Sequence, residues 1–594
     1  MFSRPLMSIS DLFDRTRRWD RLPFPLGVLT LVGLRKRLRQ RNLYDTGLPH
    51  PDADLLEQAG DPRFTSARTI DGRFNDLANP LMGSVGARFG RNVPLEHTFP
   101  EPEPAILEPN PRVVSRELLT RDRFIPATTL NVLAAAWLQF EVHDWLSHGK
   151  HEEQNPWEVA LGEDDDWTER PMRIPRTRRD PTSDSDASTP PTFVTADSHW
   201  WDGSQIYGSD ERFAAALRAG EDGKLRVGPD GLLPRELEEV VDLTGVAGNF
   251  WIGLGVLHTL FTLEHNAICD RLRGEYPTWS DERLYNTARL VNAALMAKIH
   301  TVEWTPAVIA HRTTRYGMNA NWWGLAGRRL GRRVGRLGSS EVLSGIPGSP
   351  TDHHGVPYSL TEEFVAVYRM HPLLPDDFVF RSSSNDQVLQ ERTFRELGAL
   401  QTRTRLEELG VANALYSLGI ANPGAITLHN YPRFLQHFER ADGTVIDLAA
   451  TDVLRIRERG VPRYNQFRRL FRLKAADSFE DLTDDSTWAD EIRRVYDGDV
   501  ERVDLMIGLY AEPKPKGFGF SDTAFRVFIL MASRRLKSDR FLTRDYTPKL
   551  YTRTGLDWIN ESTMVSVLLR HYPQLGPALD GVENAFAPWR RVPS

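Results

Sequence analysis

The sequence predicts a mainly α-helical protein built as a single large domain, and three observations support this. Most segments have helical length and carry apolar residues at i, i+3 and i+4 spacing, whereas alternating strand patterns are scarce. The chain has 594 residues, of which 40% are hydrophobic, so it can bury a large core. Two loop-like stretches, 99–112 and 161–193, do not resemble linkers, because the motifs on both sides belong together. We therefore expect one helical domain with few short strands.

Four segments carry the strongest helical pattern: 128–149, 249–276, 282–305 and 521–541. The last begins with Ser521, whose side chain is suited to an N-cap. It is apolar nearly all round until its arginines, so we expect this helix to be buried.

The longest apolar run, LPFPLGVLTLVGL from Leu22 to Leu34, lies between two basic stretches. It is too short to span a bilayer and contains two prolines. Two interpretations remain open: an interfacial segment whose basic flanks meet anionic lipid, or an N-terminal helix docked on the body of the protein. We therefore divide the chain into an amphipathic segment that could face a membrane, 1–45, and one large domain, 46–594.

Charge and cysteine content exclude several classes of protein. The formal net charge is −7, and no long basic run indicates a nucleic-acid partner. The single cysteine, Cys269, excludes an intrachain disulfide framework and a cysteine-rich zinc site. One cysteine also fits a reducing compartment, so we expect a cytoplasmic protein.

The stretch EEFVAVYRMHPLLPDDF, Glu362 to Phe378, places Tyr368 three residues before His371. Residues at i and i+3 share one face of a helix, and Pro372 predicts that the helix ends near the histidine. A phenol and an imidazole could then point into one cavity. The alternative is that both are ordinary core residues.

A second stretch, WLQFEVHDWLSHG, places Gln139 and His143 on one helical face, with Asp144 rotated by about 100° towards another site. The later stretch SHWWDGSQIYGS has polar groups at every second position. An extended loop could direct them inwards with Asp144 as a hard-oxygen set for Ca²⁺, although an ordinary turn explains each piece alone. These positions are Ser198, Trp200 (through its carbonyl), Asp202 and Ser204.

Seven motifs, in order along the chain, resemble those of the fatty-acid α-dioxygenases: FEVHDW, WWDGSQIYGS, AKIHTVEWT, VYRMHPLLPD, NPGAITLHNYPRFL, RERGVPRYNQFRRLF and FILMASRRLKSDRF. This family belongs to the haem peroxidase–cyclooxygenase superfamily, with the animal-type haem peroxidase fold. The resemblance covers nearly the whole chain and implies haem b and Ca²⁺ as cofactors. The implied reaction adds O₂ to Cα of a long-chain fatty acid through a tyrosyl radical. Its product is a 2-hydroperoxy acid, which can lose CO₂ to give an aldehyde one carbon shorter.

The resemblance assigns roles residue by residue. His371 matches the proximal haem ligand, His143 the distal histidine, Gln139 the distal glutamine, and Tyr368 the tyrosine that becomes the radical. The calcium ligands match Asp144, Ser198, Trp200, Asp202 and Ser204; plant relatives have threonine where Ser198 stands, and serine keeps the hydroxyl.

The substrate carboxylate must lie close to Tyr368 if hydrogen is taken from Cα, and a buried carboxylate needs partners. The resemblance implies His300 and Thr305 of AKIHTVEWT, together with one arginine of MASRRL. We favour Arg534 and keep the adjacent Arg535 open. A guanidinium would hold the carboxylate by two parallel hydrogen bonds.

Departures from mammalian-type peroxidases favour the dioxygenase. Val142 and Phe250 stand where those peroxidases esterify the haem, so we expect non-covalent haem. Ala247 stands where they have a distal arginine that helps to cleave H₂O₂. The main alternative is an H₂O₂-dependent haem peroxidase acting on small phenols or halides; a non-catalytic haem sensor or lipid-binding protein is a third. We expect a monomer with a long-chain fatty acid and O₂ as its substrates.

Overall fold

The computed structural model describes residues 18–47, 53–183, 188–235, 242–246, 250–398, 401–440 and 443–593. Ala247 and residues 1–17 of the predicted N-terminal segment lie outside these ranges, and the division at residue 45 stays a prediction. One hydrophobic core runs through the described chain, from Trp19 to Val592.

The fold is mainly α, as predicted. Thirteen α-helices of eight or more residues occur in the described ranges: α1 Phe24–Arg41, α2 Val132–Val142, α3 Ile252–Glu275, α4 Asp281–Ile299, α5 Arg312–Trp323, α6 Gly327–Val334, α7 Thr402–Leu409, α8 Val411–Ile420, α9 Leu448–Glu458, α10 Ser486–Val495, α11 Asp522–Ser538, α12 Pro548–Glu561 and α13 Met564–His571. Shorter helices include Ser204–Tyr207, Thr305–Val308, Glu341–Ser344 and Glu362–Val367.

Strands are few and short, as predicted, and form antiparallel pairs. They are β1 Glu152–Val159 with β2 Met172–Arg176, β3 Asp377–Arg381 with β4 Val388–Thr393, and β5 Phe438–Glu439 with β6 Val445–Ile446. The loop prediction for 161–193 was wrong in one part, because β2 lies inside it. Met172 and Ile174 alternate with exposed or half-buried residues and pack in a small core with Trp157, which gives this strand its buried face.

Helices α3, α4 and α11 form the buried centre. The predicted N-cap is confirmed: the Ser521 hydroxyl accepts a hydrogen bond from the Ala524 amide at 3.1 Å. Nearly all of α11 is buried, its arginines included. A helix that is apolar nearly all round has no solvent face, and this places α11 between the neighbouring helices.

Helix α1 is docked on the body of the protein. Leu31, Leu34 and Leu38 are buried on its inner face, while Leu26 and Leu29 remain exposed on its outer face. Docking therefore leaves an apolar outer surface. No helix in the described ranges is both long and apolar enough to cross a membrane.

The prediction that one helix carries Tyr368 and His371 was wrong. The helix ends at Val367, and the Tyr368 amide closes it by donating to the carbonyls of Ala366 and Phe364. His371 begins a separate 3₁₀ turn, His371–Leu373, with Pro372 in its first turn. Proline disfavours helical backbone at the residue before it, and here the helix ends before it reaches His371.

Candidate active site

Two adjoining cavities lie between α11 and the helices that follow α4. The inner cavity has an empty volume of about 340 Å³, and the outer one about 690 Å³. Met318, Asn321 and Ala532 line both, so the two spaces adjoin at these residues.

Tyr368 lines the inner cavity. The side chain is buried, with its ring 4.5 Å from that of Phe364 and 6.2 Å from that of Phe528. Burial raises the pKa of its phenol. The hydroxyl therefore keeps its hydrogen at neutral pH, as a hydrogen-atom donor must.

His300 and Thr305 line the same cavity although they are five residues apart. On a regular α-helix, this spacing would rotate them by about 140° from each other. Here α4 continues into a π-helical turn, His300–Trp304, before Thr305 begins the next helix. Because a π-turn bonds residue i to i+5, residues five apart come one above the other.

His300 is held as a neutral imidazole. Its ring stacks on Trp304, and its Nδ1 accepts a hydrogen bond from the Trp137 indole at 3.3 Å. Burial, with Arg535 acting in the same direction, lowers the pKa of His300 to about 3. Since Nδ1 accepts, the proton resides on Nε2, which is then a hydrogen-bond donor.

Arg535, and not Arg534, faces the inner cavity. Arg535 Nε and Nη2 donate to the carbonyls of His199 and Trp200 at 3.2 and 3.0 Å, and the guanidinium also interacts with the Tyr358 hydroxyl. Its Nη1 is buried and makes no well-directed hydrogen bond in the described part of the chain. Arg534, which we favoured from the sequence, instead donates to the carbonyls of Val356 and Pro357 at 2.7 and 2.8 Å. Adjacent helical residues point about 100° apart, so only one of the two can line this wall.

Thr305, like Arg535, has a buried donor without a partner in the part of the chain that the structure describes. Its hydroxyl is buried and also has no hydrogen-bond partner among the described residues. Two buried, unpaired donors therefore line one cavity with Tyr368. Leaving such groups unpaired costs free energy, and an anionic acceptor would satisfy both.

The predicted proximal histidine lies against an acidic residue that sequence reasoning missed. His371 Nδ1 is 2.8 Å from Asp452 Oδ2, and the fully buried Asp452 carboxylate also contacts Arg369 and accepts from the Tyr431 hydroxyl at 2.9 Å. Burial raises the pKa of Asp452, but Arg369 and His371 outweigh it and hold that pKa below its usual value. Asp452 lies on α9. The only sequence signal for a role beside His371 was its position in an otherwise buried helix next to arginines.

The predicted distal pair lies at the end of α2. Gln139 Oε1 accepts from the Trp251 indole at 2.8 Å, and the His143 amide donates to the Gln139 carbonyl at 3.0 Å. The His143 ring lies 5.5 Å from that of His258. Neither Gln139 nor His143 is among the residues that line the two cavities.

The predicted calcium ligands form two hydrogen-bonded pairs. Ser204 Oγ donates to Asp144 Oδ2 at 2.6 Å, and Ser198 Oγ donates to Asp202 Oδ2 at 2.5 Å. Burial raises the pKa of the Asp144 carboxyl to about 8, and Asp197 and Asp202 act in the same direction. The carbonyl of Trp200 accepts from Arg535 at 3.0 Å, which joins this loop to the inner cavity.

No group of three histidine, cysteine or acidic side chains suited to a metal was found within the described ranges. The predicted calcium set has only two carboxylates, so its other oxygens would come from hydroxyls and one carbonyl. Calcium accepts all three kinds of oxygen.

Comparison with known proteins identifies the family. The animal haem peroxidase family model matches residues 67–582. Alpha-dioxygenase 2 of Arabidopsis thaliana is 40% identical, over 100% of this chain and 94% of that protein. Alpha-dioxygenase PIOX of Oryza sativa subsp. japonica is 39% identical, over 97% of this chain and 94% of that protein.

Solved structures that resemble this chain indicate the same family. The crystal structure of Oryza sativa fatty acid alpha-dioxygenase superposes with a TM-score of 0.91 at 37% identity, covering 100% of this chain and 97% of that one. A structure of a Tyr-to-Phe variant of the rice protein with palmitic acid matches with the same TM-score, identity and coverage. The chain belongs to the animal haem peroxidase family and, within it, to the fatty-acid α-dioxygenases.

Proposed function

We propose that this protein adds O₂ to Cα of long-chain fatty acids and that Tyr368 takes the hydrogen. One observation carries the proposal: Arg535 and Thr305, each with one buried donor that has no partner among the described residues, line the same cavity as Tyr368. A carboxylate held there would place the adjacent Cα next to the phenol. The rice relative with palmitic acid supports a fatty acid as the ligand.

The inner cavity would bind the head group with three residues. Arg535 Nη1, Thr305 Oγ1 and the Nε2–H of His300 each donate to the carboxylate. Charge-assisted hydrogen bonds of this kind are about twice as strong as neutral ones. The apolar tail then extends past Met318 and Ala532 into the outer cavity, whose walls include Leu31, Phe525 and other apolar side chains.

Tyr368 would return to its radical state at the end of each reaction cycle. The Tyr368 oxygen, having lost its hydrogen atom, takes one hydrogen from Cα, and the carbon radical captures O₂. The resulting peroxyl radical takes the hydrogen back from Tyr368, which gives the 2-hydroperoxy acid and regenerates the tyrosyl radical. Holding Cα beside the phenol supplies the orientation that such a transfer needs.

The described residues fit haem as the cofactor. His371 has a partly exposed imidazole whose Nδ1 lies 2.8 Å from Asp452 Oδ2, so its Nε2 would hold the haem iron. Val142 and Phe250 carry no carboxylate, which supports non-covalent haem. When bound, haem would supply the oxidising equivalent that the chemistry at Tyr368 requires.

Asp452 should strengthen haem binding by fixing the orientation and basicity of His371. We expect Asp452→Ala to weaken haem affinity about 10–100-fold, because partners of ligating histidines contribute on this scale. Asp452→Asn should retain most of the affinity, since an amide oxygen can still accept from Nδ1. The measurement is titration of the apoprotein with haem at the Soret band. Equal affinities for the wild type and Asp452→Ala would contradict this role.

We also propose that Asp144, Ser198, Trp200, Asp202 and Ser204 hold Ca²⁺. The supporting observations are the two buried carboxylates of Asp144 and Asp202, each paired with a serine hydroxyl of the same set. Since the Trp200 carbonyl also anchors Arg535, the ion would hold the carboxylate-binding arginine in place.

Removal of calcium should therefore affect both stability and substrate binding. With calcium at about 100 times its Kd, chelation by EGTA should cost about 2.7 kcal/mol of unfolding free energy. It should also raise KM for palmitic acid, and added Ca²⁺ should reverse both effects. Asp202→Asn serves as the control and should be insensitive to EGTA. A wild-type protein whose unfolding is unchanged by EGTA would contradict the site.

The main alternative, a peroxidase acting on small phenols or halides, is less supported by these relatives. Oxygen uptake with palmitic acid, compared with phenol oxidation in added H₂O₂, separates the two functions. The proposal requires uptake with the fatty acid in the absence of added H₂O₂ beyond a trace. A cytoplasmic, monomeric protein remains part of the same proposal, supported by the single, fully buried Cys269.

A further inference from the structure

Two segments of the chain contain many cations and no carboxylates, although the whole protein is acidic. Residues 21–44 have six lysines and arginines, and residues 304–340 have seven arginines; neither contains Asp or Glu. The formal net charge of the chain is −7, so these thirteen cations are strongly segregated. The first segment contains α1, and the second contains α5 and α6.

The two segments form one surface. The Phe24 ring of α1 lies 5.4 Å from the Tyr316 ring of α5, and the Arg312 guanidinium lies 4.4 Å from the centre of the Phe24 ring. The Leu325 amide donates to the Val342 carbonyl at 2.8 Å, which adds the short helix Glu341–Ser344 to the same side. We call these elements, 21–41 and 312–344, the basic-apolar face.

Exposed apolar side chains are concentrated on this face. It contains seven of the fifteen exposed large apolar side chains that the structure describes, although it makes up only a small part of the chain. Leu29 and Leu343 are each 50% exposed. The seven are Leu26, Leu29, Tyr316, Leu325, Leu330, Leu337 and Leu343.

Exposed cations stand between these side chains. Arg312, Arg315 and Arg329 are exposed, and none has a carboxylate partner in the described part of the chain. Arg35 and Arg39, by contrast, are paired with Glu341 at the wall of the outer cavity. The free positive charge therefore points outwards, where it can meet a negatively charged partner.

The outer cavity reaches the same face. Val28 and Val32 of α1, Asn321 of α5 and the exposed Leu325 all line it. Its walls are mostly apolar, and it adjoins the inner cavity with Tyr368. A hydrophobic ligand that arrives at this face therefore has an apolar route inwards.

We propose that the basic-apolar face docks on an anionic lipid bilayer and that the fatty acid enters the outer cavity directly from the leaflet. Interleaved leucines and arginines fit a bilayer interface, where apolar side chains enter the acyl boundary and cations meet the headgroups. A polyanion such as nucleic acid would use the cations but not the exposed leucines. The docking part stands by itself, whereas the entry route rests on the proposed function.

Flotation of the haem-loaded, full-length protein with vesicles tests the docking part. Phosphatidylcholine vesicles with phosphatidylglycerol should carry the protein, and vesicles of phosphatidylcholine alone should carry much less. Arg312→Ser/Arg315→Ser/Arg329→Ser should weaken binding to the anionic vesicles about 100-fold, since each basic residue near such a surface contributes about a fivefold factor. Leu26→Ser/Leu29→Ser/Leu343→Ser should weaken it as well.

Val388→Ser/Leu389→Ser is the matched control, because these side chains on β4 are 49% and 44% exposed but lie outside the face. Control and wild type should bind equally. The proposal is overturned if the wild type does not float with anionic vesicles, or if the control loses as much binding as the leucine variant. It is also overturned if the leucine variant binds like the wild type and heparin displaces both, which would indicate a polyanion site.

Oxygen uptake tests the entry route. With palmitic acid in anionic vesicles, both surface variants should be slower than the control variant. With palmitic acid delivered on albumin, all four proteins should be equally fast. Equal rates with vesicles would overturn the entry route. If no protein oxidises palmitic acid in either form, the proposed function fails, while flotation still decides the docking part.

Discussion

Replacing Tyr368 with phenylalanine is expected to abolish fatty-acid oxygenation while leaving fatty-acid binding intact. In the proposed mechanism the phenol loses its hydrogen atom and then accepts the hydrogen of Cα, and phenylalanine has no such hydrogen. The ring remains to fill its place beside Phe364 and Phe528. Oxygen uptake with palmitic acid should fall at least about 100-fold, equivalent to about 2.7 kcal/mol of activation free energy.

The control for this substitution is Tyr546→Phe. Tyr546 is a largely buried tyrosine whose hydroxyl has no hydrogen-bond partner among the described residues, and it does not line the inner cavity. The oxygenation activity of Tyr546→Phe should match that of the wild type. Palmitate binding, followed by fluorescence displacement, should be unchanged in both variants. Substantial oxygenation by Tyr368→Phe would mean that another group abstracts the hydrogen.

The second large effect is expected from Arg535. Arg535→Gln removes the guanidinium that faces the cavity, so we expect kcat/KM for palmitic acid to fall about 100-fold, equivalent to about 2.7 kcal/mol. Arg534→Gln should leave KM near its wild-type value. Arg534 holds the carbonyls of Val356 and Pro357 instead, so its loss should appear as a lower unfolding temperature.

This pair is a close comparison, because the two residues are adjacent, both are fully buried and the substitutions are identical. Thermal unfolding of each variant separates lost folding from lost binding. Arg535→Lys, which keeps the charge but not the fork of donors, should recover part of the lost kcat/KM. The assignment would be reversed if Arg534→Gln raised KM and Arg535→Gln did not.

Fold class could be predicted from the sequence because helical periodicity carries that information, while the roles of the site residues stay predictions. The helix beginning at Ser521 shows this, since both its N-cap and its burial follow from residue types. Tyr368, His300 and Thr305 came from motifs, and the structure brings these three residues to one cavity.

Local backbone irregularity could not be predicted. His300 and Thr305 meet through a π-turn, and nothing in residue spacing distinguishes that turn from regular helix. The helix that should have joined Tyr368 to His371 ends at Val367. The sequence could not show which of Arg534 and Arg535 lines the inner cavity, because one position on a helix changes the direction of a side chain by about 100°.

Long-range contacts could not be predicted from the sequence either. Asp452 is far along the chain from His371, and no local pattern pairs them. The basic-apolar face similarly joins residues 21–41 to 312–344. Only the structure shows that these two segments, both rich in cations, lie side by side.

The most direct test of the central claim is to incubate the haem-loaded protein with palmitic acid under ¹⁸O₂ and to locate the label by mass spectrometry. Our account predicts a 2-hydroperoxy acid with two labelled oxygen atoms on C2, together with the aldehyde one carbon shorter. The contradicting result is no label at C2 for fatty acids of several chain lengths, combined with rapid oxidation of a phenol once H₂O₂ is added.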